Sequence, residues 1–202
     1  VMHLQEAGFA KLGVPLEVGK ELLKERMGEV ARAVSGANHM RSVDIAKLLE
    51  IPYMCVHTPA DNHVTNYLQG IFDRRKPKTL KNALNILKVI PEYTDALKKH
   101  AGPNILIGEG KKKCGKVFVD MTGGTEGPKR IFSRLSQAGV GTIVAMHLNE
   151  EHFKQAKAEF INVIIAGHIA SDTLGLNLLL DALEKRGAMK IIPCSGFIRV
   201  RR

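Results

Sequence analysis

Two short polar islands in this chain carry side chains able to bind a metal ion or move a proton. The later one lies in INVIIAGHIASDTLGLN (161–177), where an apolar run stops at Gly167, His168 follows, and Asp172 comes four residues on. If a helix begins near Ala170, His168 and Asp172 stand at i and i+4 and project to one side of its first turn. The earlier island is VHTPADNHV (56–64), with His57, Asp61 and His63 beside the end of a predicted strand. Carboxylate oxygens suit hard divalent cations, and imidazole suits zinc, manganese, iron and nickel. A mixed His/Asp metal site is one reading of the two islands together. The other gives Ser171 or Asp172 a capping role and leaves His168 as an ordinary polar residue.

The elements that must position these side chains fall into two textures. Up to about residue 103 the chain reads as mainly helical: PLEVGKELLKERMGEVARAV (15–34), RSVDIAKLLE (41–50), ADNHVTNYLQGIFDRR (60–75), and two short helices broken at Pro91. IPYMCVH (51–57) is read as a short strand within this half. From residue 104 onward, strands near 104–109, 116–122, 141–147, 161–167 and 189–194 alternate with helical stretches. That alternation predicts an α/β fold with a mostly parallel sheet and crossover helices. Ligands in such sheets gather at the carboxyl ends of the strands. His57, His147 and His168 each end a predicted strand.

Two glycine motifs bear on anion binding. GKKKCGKV (110–117) has the spacing of a phosphate loop, but Val117 stands where a magnesium-holding hydroxyl belongs and the segment leads into a strand. It is not a phosphate loop. DMTGGTEGPKR (120–130) does join a strand to a helix, so its backbone amides suit an anion as well as they suit a plain tight turn.

Bulk composition narrows the class. The chain has 202 residues, 45% hydrophobic and 25% charged, with no apolar run near the roughly 20 residues that span a bilayer. It opens as though within an amphipathic helix, which suggests missing upstream sequence. Three dispersed cysteines argue against a disulfide framework and fit a reducing cytoplasm. The formal charge of +10 comes largely from DRRKPK (73–78), GKKKCGK (110–116) and RVRR (199–202), without interleaved aromatics. These runs read first as solvated surface, with nucleic acid as the less favoured partner.

GHIASDTLG resembles the GH-x-x-[ST]-E signature of the Nif-three-like family, also labelled GTP cyclohydrolase I type-two-like. HTPADNHVTNYL resembles that family's H-x-P-x-D segment. MTGGTEGPKR followed by GVGTIVAMHLNEEHFKQA resembles its glycine loop and the strand and helix after it, so the likeness runs over most of residues 40–187. The resemblance implies two similar α/β domains, here 1–103 and 104–202, with a metal-holding cleft between them and a ring-shaped homo-oligomer. It places the family's metal ligands on Asp61, His168 and Asp172. Two departures stand out: aspartate replaces the late glutamate, and the early His-His pair has no counterpart, since Thr58 follows His57 and both His3 and His39 are isolated.

The function implied is that of a divalent-metal protein, with one or two ions per chain, acting as a hydrolase on an anionic small molecule or nucleotide. Its metal would activate water and polarise a substrate oxygen. His57, His63 and His147 are the acid–base or supporting candidates. The competing class is a non-catalytic regulatory or scaffold protein bound to nucleic acid through the basic loops.

Overall fold

The computed structural model describes residues 2–35, 40–122 and 127–202. Four apolar segments become strands: β1 (Asn104–Ile107), β2 (Lys116–Asp120), β3 (Val140–Ala145) and β4 (Asn162–Ile165). They form one sheet in the order β1-β4-β3-β2, in which β2, β3 and β4 run parallel and β1 is antiparallel to β4. Parallel neighbours need a crossover connection. Helix α7 (Ile131–Gln137) supplies it between β2 and β3, and α8 (Glu150–Ala158) between β3 and β4. The architecture is α/β with a mixed sheet.

Side chains of a strand alternate between its two faces, and each face of this sheet has its own core. Val144 and Ile164 enter one core, while Ile143, Ala145 and Val163 enter the other. The first is covered by α4 (His57–Arg75), α5 (Leu80–Lys88), α6 (Pro91–Lys98) and α9 (His168–Glu184). The second is covered by α1 (Met2–Leu12) and α2 (Leu16–Ser35) together with α7 and α8. Helices that precede residue 103 therefore pack on strands that follow it. Leu68, Leu80, Leu87 and Leu174 are fully enclosed in the first core, each worth roughly 1.5–3 kcal/mol of burial.

Two expected strands are absent. Residues 51–56 have no regular structure, and His57 opens α4 instead of closing a strand. Apolar and β-branched residues make a strand only where a partner strand lies alongside, and Ile51, Tyr53 and Met54 are exposed. Pro59 falls in the first turn of α4, where its missing N–H breaks no helical bond. The segment 189–194 is likewise irregular and largely exposed, and it joins none of the four strands of the sheet. Ahead of the first of these regions, α3 (Arg41–Leu48) buries only Ala46. Among the described residues no helix is long and apolar enough to cross a membrane.

Candidate metal centre

The site forms where α4 and α9 begin beside each other. Gly167 makes the turn from β4 into α9 with φ 103°, and a Cβ there would lie 2.8 Å from the Ala101 carbonyl oxygen. Only glycine takes that turn without strain, and it makes His168 the first residue of α9. The helix has no side-chain cap, so the capping role considered for Ser171 and Asp172 is not what these residues do. Ser171 donates to the Gly167 carbonyl at 2.6 Å and accepts from the Tyr93 hydroxyl at 2.9 Å. This buried pair ties the first turn of α9 to α6. Burial pushes the Tyr93 hydroxyl well above its ordinary pKa, which keeps it a donor.

His57 occupies the matching place on α4. Each histidine is the first residue of its helix and has an aspartate four residues on, in HTPAD and HIASD. His57 Nδ1 lies 3.1 Å from Asp61 Oδ2, and His168 Nε2 lies 3.5 Å from Asp172 Oδ2. One ligand atom from each of His57, His168 and Asp172 falls within 4.8 Å of the others. His147, just past β3, stacks on His168 with ring centres 4.9 Å apart and planes 27° from parallel. The side chains of His168 and Asp172 are 41% exposed and that of His57 55%, whereas Asp61 is 5% exposed behind them. The group is open at the front and backed by a buried carboxylate.

Of the residues singled out from the sequence, the structure thus brings together His57, His147, His168 and Asp172, with Asp61 joining them through His57. His63 is half-buried six residues along α4, which turns it about 240° away from His57 around the helix axis. His39 and residues 123–126 of the glycine turn lie outside the described residues. Two of the three basic runs are surface, as read: Arg74, Arg75, Lys76 and Lys111 to Lys113 are all exposed. The third is not, since the Arg199 side chain is 7% exposed and bridges Asp181 and Glu184. What escaped the sequence reading is that HTPAD and HIASD are the same H-x-x-x-D pattern. The signal was present, but reading 51–57 as a strand hid it.

Burial pushes the Asp172 carboxyl above the usual carboxylate range, while His168, His57 and His147 pull it back. A partly desolvated carboxylate beside two imidazoles is stabilised by a cation placed among them. The donor set, two nitrogens and one oxygen, suits zinc, manganese, iron or nickel better than calcium or magnesium. Three protein donors also leave positions for water or substrate. Donors on one ion lie roughly 3–4 Å apart for bonds of about 2.0–2.2 Å, so small side-chain rotations close the group. The site fits such an ion.

His147 has a second neighbour besides His168. It borders a cavity of about 20 Å³ that is also lined by Phe9, Phe118, Phe132, Asp120 and His152. That volume admits about one water and no substrate, so the reactive side of the group is its open front.

Neither protein-family models nor curated proteins give a match to this sequence. Among solved structures, that of a NIF3 superfamily protein from Sphaerobacter thermophilus superposes with a TM-score of 0.73 at 23% identity, over 92% of this chain and 69% of that one. An identity that low speaks for shared architecture and leaves activity open. The chain has a Nif3-like α/β fold, with a histidine and aspartate group at the start of two adjacent helices that could hold a metal ion.

Proposed function

We propose that this chain is a divalent-metal protein that acts as a metal-dependent hydrolase on an anionic small molecule or nucleotide. One observation carries the reading: three donors from two helices far apart in sequence gather within 4.8 Å on an open face. His57, His168 and Asp172 hold the ion. Asp61 Oδ2 lies 3.1 Å from His57 Nδ1, placed to take the Nδ1–H of the tautomer whose Nε2 lone pair is left for the metal. A bound divalent ion supplies Lewis acidity toward water and a substrate oxygen. His147, stacked on His168, is placed to hold or pass a proton at the edge of the group. The amino ends of α4 and α9, 19 and 17 residues long, both meet this face. Their positive poles favour an anionic substrate. Self-association into a ring-shaped homo-oligomer belongs to the same reading, and light scattering measures its mass.

The test is hydrolysis of a panel of phosphate esters and nucleotides by chain loaded with zinc, manganese, iron or nickel. Turnover that stops with chelator, returns with metal and fails in His57→Ala supports the proposal. Metal-loaded, folded protein that turns over none of the panel, or turns it over equally with chelator present, overturns the hydrolase.

A further inference from the structure

Residues 198–202, Ile-Arg-Val-Arg-Arg, lie without regular structure across α9 and α6. Asn177 on α9 reads their backbone twice: its Nδ2 donates to the Ile198 carbonyl at 3.0 Å, and its Oδ1 accepts from the Val200 amide at 3.1 Å. A neighbouring strand would offer an extended peptide the same pair of bonds. Acidic groups read the arginines. Arg199 donates to Asp181 at 2.5 Å and to Glu184 at 2.7 Å, and Arg201 donates to Glu184 at 3.2 Å. Arg202 forks onto both carboxylate oxygens of Glu92 and lies over the Tyr67 ring, 5.6 Å from its centre. Glu92 is only 5% exposed, and the Asn177 amide already donates to it at 2.8 Å. A carboxylate buried that deeply is costly without a cation, and a guanidinium fork fits it.

We propose that this face of α9 and α6 is a peptide-binding groove for an extended arginine-rich segment of the Arg-Val-Arg-Arg kind. It is filled here in cis, and the same segment of a second copy of the chain is its occupant in trans. The recognising groups all belong to helices, while the occupant reaches them through residues 185–196, which are irregular and largely exposed. Exchange of identical segments between two copies preserves every contact in the groove. None of this rests on the metal centre.

Two variants of the 202-residue chain separate the halves of the interaction. Arg199→Glu/Arg202→Glu spoils the segment and keeps the groove; Glu92→Gln/Asp181→Asn spoils the groove and keeps the segment. A fluorescent peptide of residues 195–202, SGFIRVRR, is titrated into each and followed by anisotropy, with circular dichroism to verify folding. The first variant should bind the peptide, less tightly as salt rises. Wild type should bind at least about tenfold more weakly, because its own segment competes at high effective concentration. The second variant should not bind with salt-sensitive affinity. Equimolar mixing of the two variants under different tags should give a mixed dimer in native mass spectrometry. Absence of peptide binding by the folded first variant overturns the groove, and peptide binding without a mixed dimer overturns the second copy as its occupant. If charge reversal unfolds the chain, Arg199→Gln/Arg202→Gln takes its place.

Discussion

Gly175 sets how closely α9 crosses α4, and its replacement by alanine tests whether that crossing places the metal donors. A Cβ there falls 2.7 Å from the Ala60 carbonyl carbon and closer still to its oxygen. Ordinary contact begins at 3.4 Å, so clearing the carbonyl oxygen requires the two helices to part or rotate by about 1 Å in a core that has little slack. Alanine gains about 1 kcal/mol of helix propensity over glycine, but overpacking a close contact costs about 1–3 kcal/mol. The steric term wins here because the obstacle is backbone. The expected net loss, overpacking less the propensity gain, is up to about 2 kcal/mol, with a fall in Tm of roughly 2–4 °C per kcal/mol at this chain length. Metal binding should suffer more than stability. His57 comes from one helix and His168 and Asp172 from the other, and metal–ligand bonds are only about 2.0–2.2 Å long. A displacement near 1 Å therefore costs about tenfold or more in zinc affinity, equivalent to ~1.4 kcal/mol. Urea unfolding and calorimetric zinc titration measure the two effects separately. Gly187→Ala is the control, since a Cβ at that position meets nothing within 4 Å. A Gly175→Ala chain that matches wild type in both measurements would refute the reasoning.

Asp172→Asn removes a charge that burial disfavours. Because the folded pKa is raised, the stability Asp172 contributes is fully present below its ordinary value of 3.8 and is lost as pH rises through the folded value. Metal-free Asp172→Asn should therefore melt at or above wild type at pH 7. Its advantage should shrink as pH falls toward 3.8, and zinc should no longer raise its melting temperature. The cysteines give a simpler check on the core: Cys55 and Cys194 are exposed, whereas Cys114 is buried and burial pushes its thiol up. Mass spectrometry after alkylation at pH 8 should find modification at Cys55 and Cys194 alone until denaturant is added; native labelling of Cys114 would contradict the packing of β2 on β3.

The second half of the fold was legible because each strand–helix alternation there is local and the apolar period is unambiguous. Residues 104–107, 116–120 and 162–165 fall within expected strands, and 140–145 overlaps the strand expected at 141–147 from one residue earlier. Pro91 marks the start of α6 as the sequence suggests. IPYMCVH and MKIIPC failed for one reason. Their composition suits a strand, but a strand also needs a free edge beside it, and composition says nothing about where the edges lie. That error carried into the site, since His57 read as a strand end cannot be paired with Asp61 across a helical turn. His168 with Asp172 was legible because the helix start after Gly167 was clear. The meeting of α4 and α9 was not, for it depends on Gly175 fitting against Ala60, a contact between residues remote in sequence. The role of 198–202 was equally hidden, since a basic run looks the same whether it is solvated or bound to buried acids.

Zinc binding to folded wild type, stoichiometry checked by elemental analysis after desalting, tests the central claim most directly when repeated on four variants. The account predicts an ion held by wild type and lost when His57, His168 or Asp172 is replaced by alanine, with circular dichroism unchanged. Asp61→Ala should retain the ion but bind it roughly 10–100-fold more weakly, as expected for a residue that orients a ligand. Folded wild type that takes up no zinc, manganese, iron or nickel would contradict the account, as would zinc retained at wild-type affinity when His57, His168 or Asp172 is replaced.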